Sequence, residues 1–323
     1  MRVPFLKYLV LSSLVATVNV AAADSYPDRP IRLVVPFAPG GPSDIVARIA
    51  GERMGAQLGK PIVVENKAGG GGTVGAMDVV RAQPDGYTLG LATISTAATN
   101  PAINPRTPYD PIKDFTPIVN IAATPMLLAV TARFPARDYA SFIAEIKNRP
   151  GHYNYASPGT GSLTHLKMEL FKSLTGTRIL HIPYRGSGPA LTDTVAGVTQ
   201  IVLDSTPSIL PTVKNGGLVP IAVAAPDRLA ELPDVPTFKE LGLDEANRMA
   251  FFGIVGPKGM SPAIVSQLAS TAKAALADPA VRARLEATGA LVVGNTPAEF
   301  AEQIRAEYAS YQRVVVQQKL TLD

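Results

Sequence analysis

One pattern recurs along this chain and limits what it can fold into: a short apolar strand, a loop of Gly, Ser, Thr and Pro, then the start of a helix. The loops fall at residues 38–44, 69–75, 157–162, 184–189 and 204–208. The strand ahead of the first is 31–37 (IRLVVPF), and Ser43 or Asp44 can cap the helix that follows. Segments 61–65 and 88–93 repeat the strand, and 73–82 repeats the helix. Strands alternating with helices mean βαβ units on a mostly parallel sheet. The same order restarts near residue 126, with strands at 126–130, 153–157, 179–184, 201–204 and 218–224. A further strand at 251–257 and two amphipathic helices, about 262–277 and 297–318, complete the chain. This reads as α/β in two lobes, residues 24–125 plus 251–323 and residues 126–250. Open α/β sheets bind ligands beyond the carboxyl ends of their strands, so two lobes face each other across a cleft that a hinge can close.

The loops carry chemistry of one kind. A helix N-terminus leaves up to four N–H groups unpaired and carries a partial positive charge of roughly 0.5. Glycine lets an anion approach that backbone closely, and Ser43, Ser162, Ser187 and Thr206 can add hydroxyl donors. One such loop is ordinary capping, whereas five in two lobes favour an anion-binding cleft without Arg or Lys clamps. The nearest bases, Lys67 and Arg185, read as solvated loop charges.

Other site chemistries fail on the residues. Gly70-x-Gly72-x-x-Gly75 follows a strand as a dinucleotide fingerprint would, yet residues 90–100 hold no acid for a ribose. The phosphate-loop lysine pattern and G-x-S-x-G are absent. Ser162 and His165 share a helix face, where a Ser–His pair or a plain first-turn histidine are both open readings. Asp204 likewise has two: an N-cap for the following helix, or a partner for a cationic group on a ligand.

Composition narrows the class further. With no Cys and three His (His152, His165, His181), disulfides, thiolate catalysis, zinc–cysteine sites and lipid anchoring at a processed N-terminus are excluded. No metal, cofactor or catalytic residue is expected. Residues 1–23 read as a signal peptide: Arg2 and Lys7, an apolar run too short to span a bilayer, then Ala21-Ala22-Ala23. Arg2 and Lys7 are its only charges, so the formal net charge of +4 falls to +2 without it. No basic run or aromatic interleaving marks a nucleic-acid surface. A protein exported without a lipid anchor needs an outer membrane to retain it, which points to a Gram-negative periplasm.

The motifs taken together resemble a known family. They are Tyr26-Pro27-x-Arg29-Pro30-Ile31, then Pro36-Phe37-Ala38-Pro39-Gly40-Gly41-x-Ser43-Asp44, then Glu65-Asn66-Lys67-Ala68 running through the glycines to Gly75, and Pro84-Asp85-Gly86-Tyr87. Tyr155-Ala156-Ser157-Pro158-Gly159-Thr160-Gly161-Ser162-x-x-His165 and Pro183-Tyr184-Arg185-Gly186-Ser187-Gly188-Pro189 follow. Across nearly the whole chain after residue 23 this resembles the Bug (TctC-like) substrate-binding proteins of tripartite tricarboxylate transporters. The resemblance implies a type II Venus-flytrap fold, a small carboxylated ligand, and membrane permease subunits as partners, with a monomeric receptor expected. It also implies a ligand set: Gly40, Gly41, Ser43 and Ser95 from one lobe, Ser157, Gly159, Thr160, Gly161, Ser162, Tyr184 and Gly186 from the other, and Asp204 facing the ligand's substituent. Residues 202–208 keep the family's usual Phe-Asp-Asn-Leu-Pro-Ser only in outline. A ligand sensor for a membrane signalling protein, or a periplasmic enzyme using the same cleft, are the competing classes.

Overall fold

The computed structural model describes residues 26–322, so the expected signal peptide and its processing site lie outside the described residues. Eleven strands are described: β1 (Ile31–Val35), β2 (Ile62–Asn66), β3 (Thr88–Thr93), β4 (Phe115–Thr124), β5 (Met126–Thr131), β6 (Asn154–Ser157), β7 (Leu180–Pro183), β8 (Ile201–Ser205), β9 (Leu218–Ala224), β10 (Ala250–Pro257) and β11 (Leu291–Val292). They form a six-stranded sheet, β11-β4-β10-β3-β1-β2, and a five-stranded sheet, β7-β6-β8-β5-β9. The two sheets make the two lobes of an α/β fold.

The expected parallel pairing holds for β2-β1-β3 and for β7-β6-β8. The rest is antiparallel, and the chain's two crossings explain it. Only Pro125 separates β4 in one sheet from β5 in the other. β10 brings the chain back the opposite way, antiparallel to β4 with Ala250 opposite Thr124. In the second sheet β5 is antiparallel to both β8 and β9. The two crossing segments therefore lie side by side at the junction of the lobes.

The helices follow the strands as the loops require. They are α1 (Pro42–Leu58), α2 (Thr73–Val80), α3 (Asn100–Ile103), α4 (Tyr139–Asn148), α5 (Leu163–Thr175), α6 (Ser187–Ala196), α7 (Thr206–Lys214), α8 (Pro262–Ala277), α9 (Pro279–Glu286) and α10 (Pro297–Gln317). Gly41, not Ser43 or Asp44, holds the N-cap position of α1, because Pro42 starts the helix. Asp44 instead accepts from the Gly40 amide and pairs with Arg48. Ser162 caps α5 by accepting from the His165 amide. Inward-facing Leu166, Leu170 and Phe171 seat α5 on its sheet, each contributing about 2 kcal/mol through burial.

The approach to the second crossing is tied down by a buried lysine. Lys167 of α5 donates to the carbonyls of Ala246 and Arg248. Arg248 in turn pairs with Glu307 of α10 at 2.7 Å. Among the described residues no helix is long and apolar enough to cross a membrane.

Candidate ligand-binding site

The strand ends converge on one cavity between the lobes. From the first lobe it is lined by Phe37, Gly41, Pro42 and Ser43 after β1 and by Thr93, Ile94 and Ser95 at the end of β3. The second lobe supplies Pro158, Leu163 and Thr164 after β6, Ser187 after β7, and Asp204 and Ser205 at the end of β8. Met126, Ala250, Phe251 and Phe252, on the crossing strands, complete it. Its volume is about 40 Å3, room for about three waters.

The starts of α1, α5, α6 and α7, and of the π-helical turn Ser95–Thr99, all border this space. In α1 the N-cap is a glycine and offers no acceptor, so among the described residues the amides of Ser43 and Asp44 find none within the protein. Ser43 is buried and its hydroxyl has no protein partner among the described residues. Ser95 accepts from the Leu163 amide across the lobes at 3.0 Å, which leaves its own proton to give. Asp204 is the one ionisable side chain in the lining. The site thus concentrates oriented N–H and O–H dipoles in place of cations, an arrangement that favours an anion.

Asp204 is both tied to α7 and part of the cavity wall. Ser205 occupies the N-cap position, so Asp204 is not the cap itself. Its Oδ1 accepts from the Ser205 amide at 2.8 Å and from Ser187 Oγ at 3.0 Å, and its Oδ2 accepts from Ser208 Oγ at 2.7 Å. Burial pushes the carboxyl up to about 6, against the opposing pull of these three donors.

Of the residues singled out from sequence, Gly41, Ser43, Ser95 and Asp204 line the cavity. The others stand around it. The Gly40 amide is taken by Asp44. Ser157 is fully buried, with Oγ 2.6 Å from His181 Nε2 and accepting from the Gly159 amide. Gly161 donates to His165 Nδ1 and accepts from Thr99 Oγ1 of the other lobe. Ser162 is occupied as the cap of α5, and the Tyr184 hydroxyl donates to Asp193.

The glycine loops themselves meet lobe to lobe. A Cβ on Gly71, where φ is +61°, would lie 2.3 Å from the Thr160 carbonyl oxygen. A Cβ on Gly186 would lie 2.7 Å from the Ala38 amide, whose proton goes to the Arg185 carbonyl. Gly159 packs on Gly71 in the same way. The Gly70–Gly75 loop therefore opens α2 and meets the opposite lobe at Gly71.

The Ser162–His165 pair is a capping contact made by the His165 amide, while the ring nitrogen Nδ1 faces Gly161. His165 stacks on His181 at 4.2 Å, and His181 stacks on Tyr155 at 4.9 Å. Burial, then the neighbouring His165 and Lys172, push His181 down to about 3, so it stays neutral near pH 7.

Sequence reasoning left out the apolar walls Phe37, Met126, Leu163, Phe251 and Phe252, which read as core because a cavity wall and a core share one signature. It also left Ser187 out of the ligand set, although that hydroxyl had been noted as a donor in a glycine loop.

A two-lobed α/β fold with a cavity at the strand ends and the junction of the lobes is that of the periplasmic binding protein class. The family model described as the tripartite tricarboxylate transporter family receptor matches residues 46–320, and the chain belongs to that family of solute-binding proteins. Protein BugT of Bordetella pertussis is 37% identical over 292 residues, covering 89% of this chain and 90% of that one. A solved structure of a periplasmic transporter is 47% identical with a TM-score of 0.91, covering 92% of this chain and all of that one. MatC from Rhodopseudomonas palustris with bound malate is 34% identical (TM-score 0.87, covering 90% of this chain and 100% of its own). Rpa4515 of R. palustris with adipate is 33% identical (TM-score 0.88, covering 92% and 99%).

Proposed function

We propose that this protein is a periplasmic receptor that captures a small carboxylate between its lobes, residues 24–125 with 251–323 and residues 126–250, and presents the closed form to the permease subunits of a tripartite transporter. The carrying observation is the convergence of helix N-termini and buried hydroxyls on one interlobe cavity with no Lys or Arg in its lining. Malate and adipate in two related structures support a carboxylate as the occupant. Gly41, Ser43 and Ser95, with the unpaired amides of α1, are the groups that hold it. Gly159, Thr160, Gly161 and Gly186 act in the same event by letting the loops of the two lobes touch. The signal-peptide pattern read in residues 1–23 supports export. Binding without bond-making suits a lining whose residues include no His, Cys, Lys or Arg.

The test is a thermal-shift screen of protein unfolded and refolded to strip retained ligand, against mono-, di- and tricarboxylates and acidic amino acids. Binding of the folded state alone at a hundred times Kd adds about 2.7 kcal/mol, so at least one acid raises Tm by several degrees. A folded protein indifferent to every acid refutes the carboxylate reading.

A further inference from the structure

The cavity's hydrogen-bonding groups are not all donors. Ser187 gives its proton to Asp204 at 3.0 Å, so toward the cavity its oxygen can only accept. Asp204 receives three protein hydrogen bonds, and a carboxylate has about four acceptor sites. One is left, on a group that lines the cavity and is only 3% exposed. Near pH 7 the carboxyl is largely ionised even with its raised pKa of about 6.

Such a group has a definite demand. An acid whose skeleton carries only hydrogens would place its negative charge near Asp204 and leave the remaining acceptor site without a donor. In a low-dielectric site a like charge is repelled strongly, and an unpaired buried acceptor costs about 1–3 kcal/mol. An O–H or N–H+ on the carbon beside the ligand's carboxylate removes the second penalty, and an ammonium also offsets the first. The surplus donors of α1, Ser43 and Ser95 meanwhile donate to the ligand's carboxylate. The cavity's small volume favours a short skeleton.

We infer that Asp204, together with Ser187, selects carboxylates bearing a hydrogen-bond donor beside the acid group, so that hydroxy- or amino-substituted short diacids bind in preference to their unsubstituted parents. This rests on the carboxylate reading above and specifies the ligand class for that site.

The experiment uses three probes with one four-carbon skeleton, succinate, malate and aspartate, titrated calorimetrically into refolded protein. Malate or aspartate should bind at least tenfold more tightly than succinate, the ratio of their dissociation constants being the readout. Asp204→Asn should compress that ratio to within about threefold, and Ser187→Ala, which keeps Asp204 and spares its two other donors, should compress it partway. The second variant keeps the test alive should the first fail to refold. Succinate binding as tightly as both substituted acids overturns the inference, as does a ratio unchanged in the variants. If succinate or another plain acid binds without discrimination, only this selectivity falls. If no carboxylate binds at all, the parent reading falls with it.

Discussion

A methyl group added at residue 188 should separate closure of the lobes from folding of each lobe. Gly188 lies in the first turn of α6, and an ideal Cβ there sits 2.4 Å from the carbonyl oxygen of Pro39 in the opposite lobe. Carbon–oxygen contacts settle near 3.3–3.6 Å, so the lobes of Gly188→Ala must stay about 1 Å further apart on this side. Overpacking of this kind costs about 1–3 kcal/mol. At 1.4 kcal/mol per decade, that weakens binding of the ligand that closes the lobes roughly 5- to 150-fold.

Within its own lobe the substitution is close to neutral. Alanine gains up to about 1 kcal/mol of helix propensity over glycine, offset by the poor fit of a residue with a Cβ ahead of Pro189 in helical conformation. The expected result is an apo Tm within a few degrees of wild type and a Kd raised by calorimetry. Small-angle scattering should show a smaller ligand-induced contraction than wild type. Gly41→Ala is the graded companion: its Cβ meets Ser187 Cβ at 3.3 Å, so it should weaken binding less. Wild-type affinity and contraction in Gly188→Ala would refute the idea that these loops meet in the ligand-bound form.

Further outcomes follow from the charges. With no cation in the lining, affinity for a carboxylate should change less than about threefold between 0.05 and 0.5 M salt, and a tenfold loss by calorimetry would reveal a cationic clamp. Asp204 has a folded pKa of about 6, above its ordinary value, so the folded state holds its proton more tightly than the unfolded chain. Wild-type stability should therefore fall as pH rises from about 4 to 6 and stay level above, by at most about 3 kcal/mol. In Asp204→Asn that component of the urea-midpoint profile disappears. Burial, then Arg248, lower Lys167 to about 7, so the folded state binds fewer protons than the unfolded one between about pH 7 and 10.5. That group's contribution should make stability rise with pH across this window, and Lys167→Met should remove the rise. A variant profile matching wild type would show that Lys167 is not held neutral there.

The strand–loop–helix units were legible because buried strands read as short apolar runs and helix starts follow Gly, Pro and Ser. β4 escaped notice: Pro117 and Asn120 interrupt its apolar run, and partners on both sides hold it in the sheet. α9, begun by Pro279 and capped by Asp278, is too short to show a clear period. The antiparallel half of each sheet was hidden for a different reason. Strand direction there follows from two crossings between lobes, which no local window contains.

At the site, the residue types pointed to donor-rich loops, and Gly41, Ser43, Ser95 and Asp204 do face one cavity. A glycine whose Cβ would clash says that another group approaches the backbone closely. It does not say whether that group is a ligand or the opposite lobe. For Gly71, Gly159 and Gly186 the nearest approaching atom belongs to the opposite lobe, the Ser157 hydroxyl is engaged by His181, and Ser162 Oγ accepts the capping amide of α5.

The sequence by itself determined the α/β units, the anion-seeking loop chemistry and the absence of cysteine chemistry, because these depend on neighbours within a few residues. Only the tertiary structure decided which donors remain unspent, and it did so by packing two lobes together. Hydrogen-bond capacity is finite, and contacts between residues about 17 to 70 positions apart, such as Ser187 with Asp204 and Leu163 with Ser95, use it up before a ligand arrives.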